Sequence, residues 1–403
     1  MWGRIIEFVG GELGYDPAVK VDEALIWARY IGARYAGHNV MWIVAGDWFY
    51  DEPQQNAFWD QFGRVLQQAS GKMHLTSIHT TGFFGSFSFY DENADWLDYY
   101  MYSVMHDTLN LGYNWIGARE GYQARPVKPV RNAESNYEDI PSRFWKLPSD
   151  SSQIVRIAPR HVRGADYQSI LSGSLVGFCY GANGVWQWST EWEPSHLLPR
   201  FTAVQSLDFP GAFQMTLLKT LMERYDWFDF VPAQELLLEA RLYVNESGHA
   251  NLPIAKNQRY VLAYFPAATA SATIATCGAL PTDVYYWISP RDGIEHDRRQ
   301  IASNALLELS PPDSRDWLLV IESGSIQAEN CDHTGTGRTD DVLTLLGTTP
   351  NPYYEKTSLL FRLKGDGIVR VKIFDLLGKE VFTSGYHVAA GFHRVDVALQ
   401  AAG

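Results

Sequence analysis

Two carboxylates stand out by place and spacing. Asp47 follows an apolar run, residues 40–45, in "NVMWIVAGDWF", and is held between Gly46 and Trp48. Glu134 follows "KPVRNA", 87 residues later. Each comes after a segment that reads as a strand. A pair of this kind can cleave an acetal. One carboxylic acid protonates the leaving oxygen, and the other carboxylate attacks the carbon from the opposite face. The two groups stand about 5 Å apart where configuration is retained, and wider where a water must fit between them. The acid of the pair needs a raised pKa, which neighbouring Trp42 and Trp48 can supply by excluding water. A Gly-Asp after a strand is also a common turn, and a lone Glu after a strand says little. The chemical reading rests on the two together, at matching phase.

Elements that could set this phase run to about residue 240. "GRIIEFVG", "NVMWIVAG", "HLTSIHTTG", "KPVRNAES" and "GVWQWS" read as strands. "PAVKVDEALIWARYIGARYA", "EPQQNAFWDQFGRVLQQAS", "ADWLDYYMYSVMHDTLN" and "PRHVRGADYQSILSG" read as helices, and "YNWIGARE" as a strand or short helical segment. In the first helix Val21, Leu25, Ala28 and Ile31 recur at helical spacing, with Pro17 in its first turn. Strand and helix alternating at this spacing predict a parallel sheet of the α/β class, and the number of units predicts a (β/α) barrel. Catalytic side chains of such barrels sit at the C-terminal ends of strands. Glu120 and Glu138 are further acids near strand ends, and Glu7 lies inside the first strand. The interval from Asp47 to Glu134 equals three βα units of roughly 29 residues each. With Asp47 on the fourth strand, Glu134 falls on the seventh. Only "IIEFVG" then precedes Asp47's strand, so the expected fold is a (β/α)8 TIM-type barrel lacking its first two strands.

Residues 241–325 change character. "RYVLAYFP", "TDVYYWISPRDG" and "DWLLVIES" are short strands divided by Gly, Pro and Asp, which predicts a small antiparallel β-sandwich. Residues 326–350 read as a Gly/Thr-rich linker with one short helical turn. Residues 351–403 alternate strands with tight turns at "GDG" and "LGK", predicting a second small β-sandwich that stops in mid-module at "AAG".

Composition excludes several classes. The 403 residues are 46% hydrophobic and 20% charged, which suits globular domains and not a disordered chain. A net charge of -13 argues against nucleic acid and anionic membrane as partners. The 14 Trp, 22 Tyr and 20 Phe suit carbohydrate, whose C–H faces stack on aromatic rings, although most such rings fill cores. Cys179, Cys277 and Cys331 form no disulfide framework and no CxxC zinc pair. No apolar run has the length of a transmembrane helix. "MWGRIIEFVGGELG" lacks the basic n-region and h-region of a signal peptide.

The ordered set "ARYIGARYAGHNVMWIVAGDW", "SIHTTG" with "ADWLDYYM", "KPVRNAESNYED" and "GFCYGANGVWQW" resembles the apiosidase-like glycoside hydrolases (glycoside hydrolase family 140) over roughly residues 1–240. The family's His-Pro strand here reads Ile78-His79-Thr80, without proline. The resemblance implies Asp47 as general acid/base and Glu134 as nucleophile, with Glu138 a rival for the second role. It implies an oligo- or polysaccharide substrate bound by His79, Asn132, Tyr137, Glu138, Tyr180, Trp186 and Trp188, and neither metal nor cofactor. His79 could steady Asp47, and Asn132 could orient Glu134. Each could equally be a satisfied structural residue, and Arg119 and Glu120 could simply pair. "YVLAYFP", "YYWISPRDG" and "DWLLVIES" resemble the β-sandwich that follows the barrel in this family, expected to pack on it. "NPYYEKTSLLFRL", "VKIFDLLGKEV" and "AAGFHRVDV" resemble the C-terminal sorting modules of secreted bacterial proteins. That resemblance implies the secretion machinery as a partner and a secreted or cell-surface location, with the signal peptide upstream of Met1. The expected activity is retaining hydrolysis of plant cell-wall polysaccharide side chains. The alternative is a surface-displayed carbohydrate-binding protein with a non-catalytic barrel.

Overall fold

Short parallel strands carry the first part of the chain, each followed by the helix that covers it. In the computed structural model the described residues are 3–4, 21–46, 53–80, 85–90, 93–104, 106–108, 111–191, 197–242, 251–301, 306–326, 343–349, 356–363, 367–374, 380–388 and 391–398. Strand β1 (Gly3–Arg4) leads to α1 (Val21–Tyr35), β2 (Trp42–Ile43), α2 (Pro53–Ala69) and β3 (Thr76–Ser77). Then come β4 (Tyr100–Ser103), α3 (Gly112–Gln123), β5 (Val130–Glu134), β6 (Tyr137–Glu138), α4 (Pro159–Ile170), β7 (Gly181–Ala182), α5 (Asn183–Trp186), α6 (Ala203–Ser206) and α7 (Pro210–Arg224). β1, β2 and β3 pair in parallel, as do β4 with β5 and β6 with β7. β3 meets the start of β4 through Asp98, whose N–H donates to the Thr76 carbonyl at 2.9 Å. Its carboxylate accepts from the Thr76 N–H at 2.8 Å. The Val176 N–H, just ahead of β7, donates to the Val130 carbonyl at the start of β5 at 3.0 Å. The succession is that of a (β/α) barrel wall.

The helical period of α1 does what its sequence predicts. Ala24, Leu25, Ala28 and Ile31 are buried against Phe58, Trp59, Phe62 and Leu66 of α2, and against Trp42, Val44 and Ile78. Ile26 and Tyr30 on the other face are exposed. Each fully buried side chain of this size contributes about 1.5–3 kcal/mol relative to exposure.

Two expectations are corrected, and one open alternative is decided. "ADWLDYYMYSVMHDTLN" is not a helix. Its centre is β4, buried at all four positions. A strand covered on both faces loses the alternation that would mark it, so its apolar run fits either period. "YNWIGARE" is helix, within α3. "GVWQWS" is not the last strand: pairing ends at Ala182, and Trp186 closes a short helix. Trp186 and Trp188 therefore do not alternate on a strand. Trp188 follows with φ at +51°. The interval between Asp47 and Glu134 still spans three strands, since β3, β4 and β5 follow β2.

The next module begins before residue 241. β8 (Val231–Pro232), β9 (Leu237–Leu242), β10 (Ile254–Lys256), β11 (Tyr260–Phe265), β12 (Thr269–Ala275), β13 (Val284–Ile288), β14 (Glu295–Gln300), β15 (Leu306–Leu309) and β16 (Trp317–Glu322) form two antiparallel sheets. Their orders are β14-β13-β16-β11-β10-β8 and β15-β12-β9. The period of two divides the larger sheet between two cores. Val261, Ala263, Phe265, Leu319 and Ile321 face Ala272, Ile274 and Leu309 of the smaller sheet. Leu262, Tyr264, Leu318 and Val320 pack instead with Val162 and Tyr167 of α4 and with Met215, Leu218 and Leu221 of α7. A buried ion pair crosses this second contact. The Arg163 guanidinium donates to both carboxylate oxygens of Asp316, at 2.9 and 2.8 Å. Arg291 adds a contact at 3.1 Å. Cys277 is disulfide-bonded, a bridge that counting cysteines did not reveal.

Residues 332–403 form a separate unit. β17 (Leu343–Thr349), β18 (Lys356–Leu363) and β21 (Gly391–Ala398) make one antiparallel sheet, and β19 (Gly367–Phe374) pairs with β20 (Glu380–Val388). The helical turn expected in the linker is strand β17: "LTLLGTT" carries leucines that satisfy either period.

Candidate active site

The C-terminal ends of three neighbouring parallel strands bring a carboxylate and two imidazoles together. Glu134 is the last residue of β5. His79 lies two residues beyond β3, and its N–H donates to the Ala45 carbonyl at 3.1 Å. His106 lies three residues beyond β4. His79 Nε2 stands 3.4 Å from Glu134 Oε2, and His106 Nε2 stands 3.4 Å from Glu134 Oε1. Both imidazoles are buried, and the Glu134 side chain is 15% exposed.

The Tyr137 N–H donates to His106 Nδ1 at 3.3 Å. A ring nitrogen that accepts carries no proton, so the neutral ring has its N–H at Nε2, aimed at Glu134. Burial pushes the Glu134 carboxyl up. The His106 hydrogen bond, the His79 charge and the Tyr137 hydroxyl are among the contacts that outweigh it and bring it down to about 2. Glu134 is thus an anion held in place.

Glu138 differs in every respect. The Tyr180 hydroxyl donates to its Oε2 at 2.8 Å, and the Gly211 N–H, in the first turn of α7, at 3.0 Å. A Cβ at Gly211 would lie 2.2 Å from that oxygen, so the approach requires glycine. Burial raises the Glu138 carboxyl above its ordinary value, partly offset by Tyr180 and Gly211. Glu138 and Tyr180 together fasten β6 and the approach to β7 to the start of α7.

The remaining predicted residues divide. Tyr137 belongs to the cluster: its ring centroid is 4.4 Å from that of His106 and 6.1 Å from that of Trp186, which is half-exposed. Its ring lies over Gly181, where a Cβ would meet it at 2.2 Å. Asn132 does not orient Glu134. Its amide N–H groups donate to Asn114 and Ser169 on α3 and α4, both at 2.9 Å. It is a strand-to-helix fastener. Trp188 is 73% exposed. The Arg119 guanidinium lies over the Trp115 ring at 4.7 Å. Asp47 and Glu7 lie outside the described residues. Among the described residues, no group of three or more His, Cys, Asp or Glu is arranged to hold a metal ion, and no helix is long and apolar enough to cross a membrane.

His106 is the residue that sequence reasoning missed. Its signal was there: "YYMYSVMH" ends an apolar run in histidine as "LTSIH" does. Reading that run as a helix hid it.

Residues 1–229 match the family model "Apiosidase-like, catalytic domain". The chain belongs to the apiosidase-like family. It is a glycoside hydrolase by that membership. Two solved structures are similar in fold. One, described as a glycoside hydrolase, is 21% identical, covers 77% of this chain and 70% of its own, and has a TM-score of 0.66. The other, a glycoside hydrolase family 5 protein from Bacteroides vulgatus, is 22% identical, covers 75% and 67%, and has a TM-score of 0.65. No curated protein matches significantly.

Proposed function

We propose that this apiosidase-like protein is a retaining hydrolase of plant cell-wall polysaccharide side chains, apiosyl linkages among them. Glu134 is the nucleophile and Asp47 the general acid/base. The observation that carries the reading is Glu134 itself: a carboxylate at the end of a barrel strand, kept ionised between two imidazoles. A nucleophile must be an anion before substrate arrives, and this environment makes it one. In the first step Glu134 attacks the anomeric carbon while Asp47 gives its proton to the departing oxygen, leaving a glycosyl ester on Glu134. Asp47, now a carboxylate, takes a proton from water. That water attacks the anomeric carbon and releases the sugar and Glu134. In this reading His106 and His79 hold the Glu134 oxygens, and the Tyr137 and Trp186 rings face the sugar.

Secretion and surface display through the last module remain part of the proposal. The disulfide at Cys277 supports it, because such bonds persist chiefly in oxidising compartments. The test is a screen of plant cell-wall oligosaccharides with product anomers read by NMR. Glu134→Gln and Asp47→Asn should each reduce turnover by at least about a thousandfold, the scale of losing a group that acts in the chemical step. Near-normal turnover by either variant sinks its assigned role. An inverted product would remove the nucleophile from the scheme.

A further inference from the structure

Aromatic rings make a chain of contacts through the rings beside the carboxylate. Trp186, Tyr137, His106, Phe144 and Trp145 form a connected row, with successive centroids 6.1, 4.4, 5.9 and 5.3 Å apart. Two of them, His106 and Tyr137, contact Glu134. The two ends are indoles, Trp186 50% and Trp145 43% exposed. The segment carrying Trp145 is fastened in place. The Arg143 N–H donates to the His106 carbonyl at 2.8 Å, and its guanidinium meets the buried Asp107 at 3.1 Å. The Thr108 N–H donates to the Ser142 hydroxyl at 3.0 Å. The residues just ahead of Trp145 are therefore tied to the loop that carries His106. A large ring held partly in water, joined through Phe144 to His106 beside the carboxylate, is what a sugar face stacks on.

We propose that Trp145 is a stacking platform for a sugar unit of the oligosaccharide other than the one attached to Glu134. The row then spans the scissile bond, with Trp186 at one end and Trp145 at the other. This rests on the glycoside hydrolase reading and adds a specificity-determining residue to it. The row's continuity with Glu134 selects carbohydrate as the occupant. Trp145 takes no part in the chemistry, so its effect depends on chain length.

The test is Trp145→Ala with size-fractionated plant cell-wall oligosaccharides. Binding is followed by calorimetry in a Glu134→Gln background, so no turnover is needed. Affinity for fragments of five or more sugars should fall on the order of tenfold, about 1.4 kcal/mol, while affinity for disaccharides stays unchanged. Phe228→Ala, at an exposed ring elsewhere, should change neither. In the active protein the loss on long fragments should appear in KM with kcat preserved. Equal affinity of Trp145→Ala and the parent for long fragments overturns the proposal, as does an equal loss on disaccharides. If the parent binds long fragments and Trp145→Ala does not, the platform stands even where the wild type hydrolyses nothing. In that case only the catalytic reading fails.

Discussion

Replacing His106 with phenylalanine probes Glu134 without touching the carboxylate. Phenylalanine keeps a ring beside Tyr137 and Phe144 and removes both nitrogens. The Glu134 carboxyl sits at about 2 rather than its ordinary 4.5. One pH unit is worth about 1.4 kcal/mol, so the site favours the anion by roughly 3 kcal/mol. Burial is the largest single influence and works against the anion, so the favourable contacts together exceed that figure. His106 supplies the leading ones, ahead of His79 and Tyr137. Without it burial dominates, and Glu134 should titrate at or above its ordinary value, near pH ~5. Two measurements follow this. In the pH dependence of kcat/KM, the parent should show no acid limb from Glu134 above about pH 3, and His106→Phe should show one near pH ~5. In 13C-labelled protein, the Glu134 carboxyl resonance, assigned by its loss in Glu134→Gln, should titrate at the same two places. Stability carries the same sign. A carboxyl held below its unfolded value stabilises the fold above that value, and the contribution is lost as pH falls toward the folded value. The parent should lose this contribution between about pH 4.5 and 2, and the variant should lack it throughout. An unchanged acid limb with an unchanged Glu134 titration refutes the role given to His106.

Two further outcomes concern the frame around the site. Asp166 of α4 is fully buried, and burial outweighs the Ser135 hydroxyl near it and drives its pKa well up. Such a group favours the fold below its unfolded pKa and costs stability as pH rises, so Asp166→Asn should gain melting temperature over the parent between pH 4 and 8, worth about 1–3 kcal/mol at the upper end. A difference that does not grow with pH contradicts this. Arg163→Met leaves Asp316 buried with Arg291 as its remaining cation and should cost about 3–5 kcal/mol in denaturant unfolding, much of it recovered in Arg163→Met/Asp316→Leu. A single-variant loss below about 1 kcal/mol would show the pair to be dispensable.

Much of this was legible in the sequence, for reasons that differ element by element. α1 and α2 are amphipathic over four turns, and a period of 3.6 carried that far has one reading. β5 was legible because "KPV" opens it and a polar "NAES" closes it. β4 was not. Tyr100, Met101, Tyr102 and Ser103 are covered on both faces, so nothing alternates, and the tertiary contact that makes them a strand lies at Val130 and Arg131, thirty residues on. Losing β4 also lost His106. The roles of Asn132 and Glu138 were illegible for a related reason. Asn132 lies two residues before Glu134 and Glu138 four after it, and only distant partners, Ser169 for one and Gly211 for the other, decide where each is bound.

Glu134 and Glu138 show why a carboxylate's position along a strand does not fix its chemistry. Both are glutamates four residues apart, both are largely buried, and a motif cannot rank them. Their partners can. Glu134 meets two imidazoles through both oxygens, and its carboxyl stays below the ordinary range despite burial. Glu138 offers one oxygen to a tyrosine hydroxyl and a backbone N–H, neither of which brings a charge, and burial prevails. A nucleophile in a retaining reaction needs a free lone pair on an anion. Glu138 is the weaker candidate on the second count: burial raises its carboxyl above the ordinary value, whereas the Glu134 carboxyl is held below it. The same burial that would make a poor nucleophile makes a sound fastener, because the Tyr180 and Gly211 bonds persist whether or not the carboxyl is ionised. Both end a strand, β5 and β6, and of the two Glu134 is the one whose surroundings favour the anion, which is why the proposed nucleophile is Glu134.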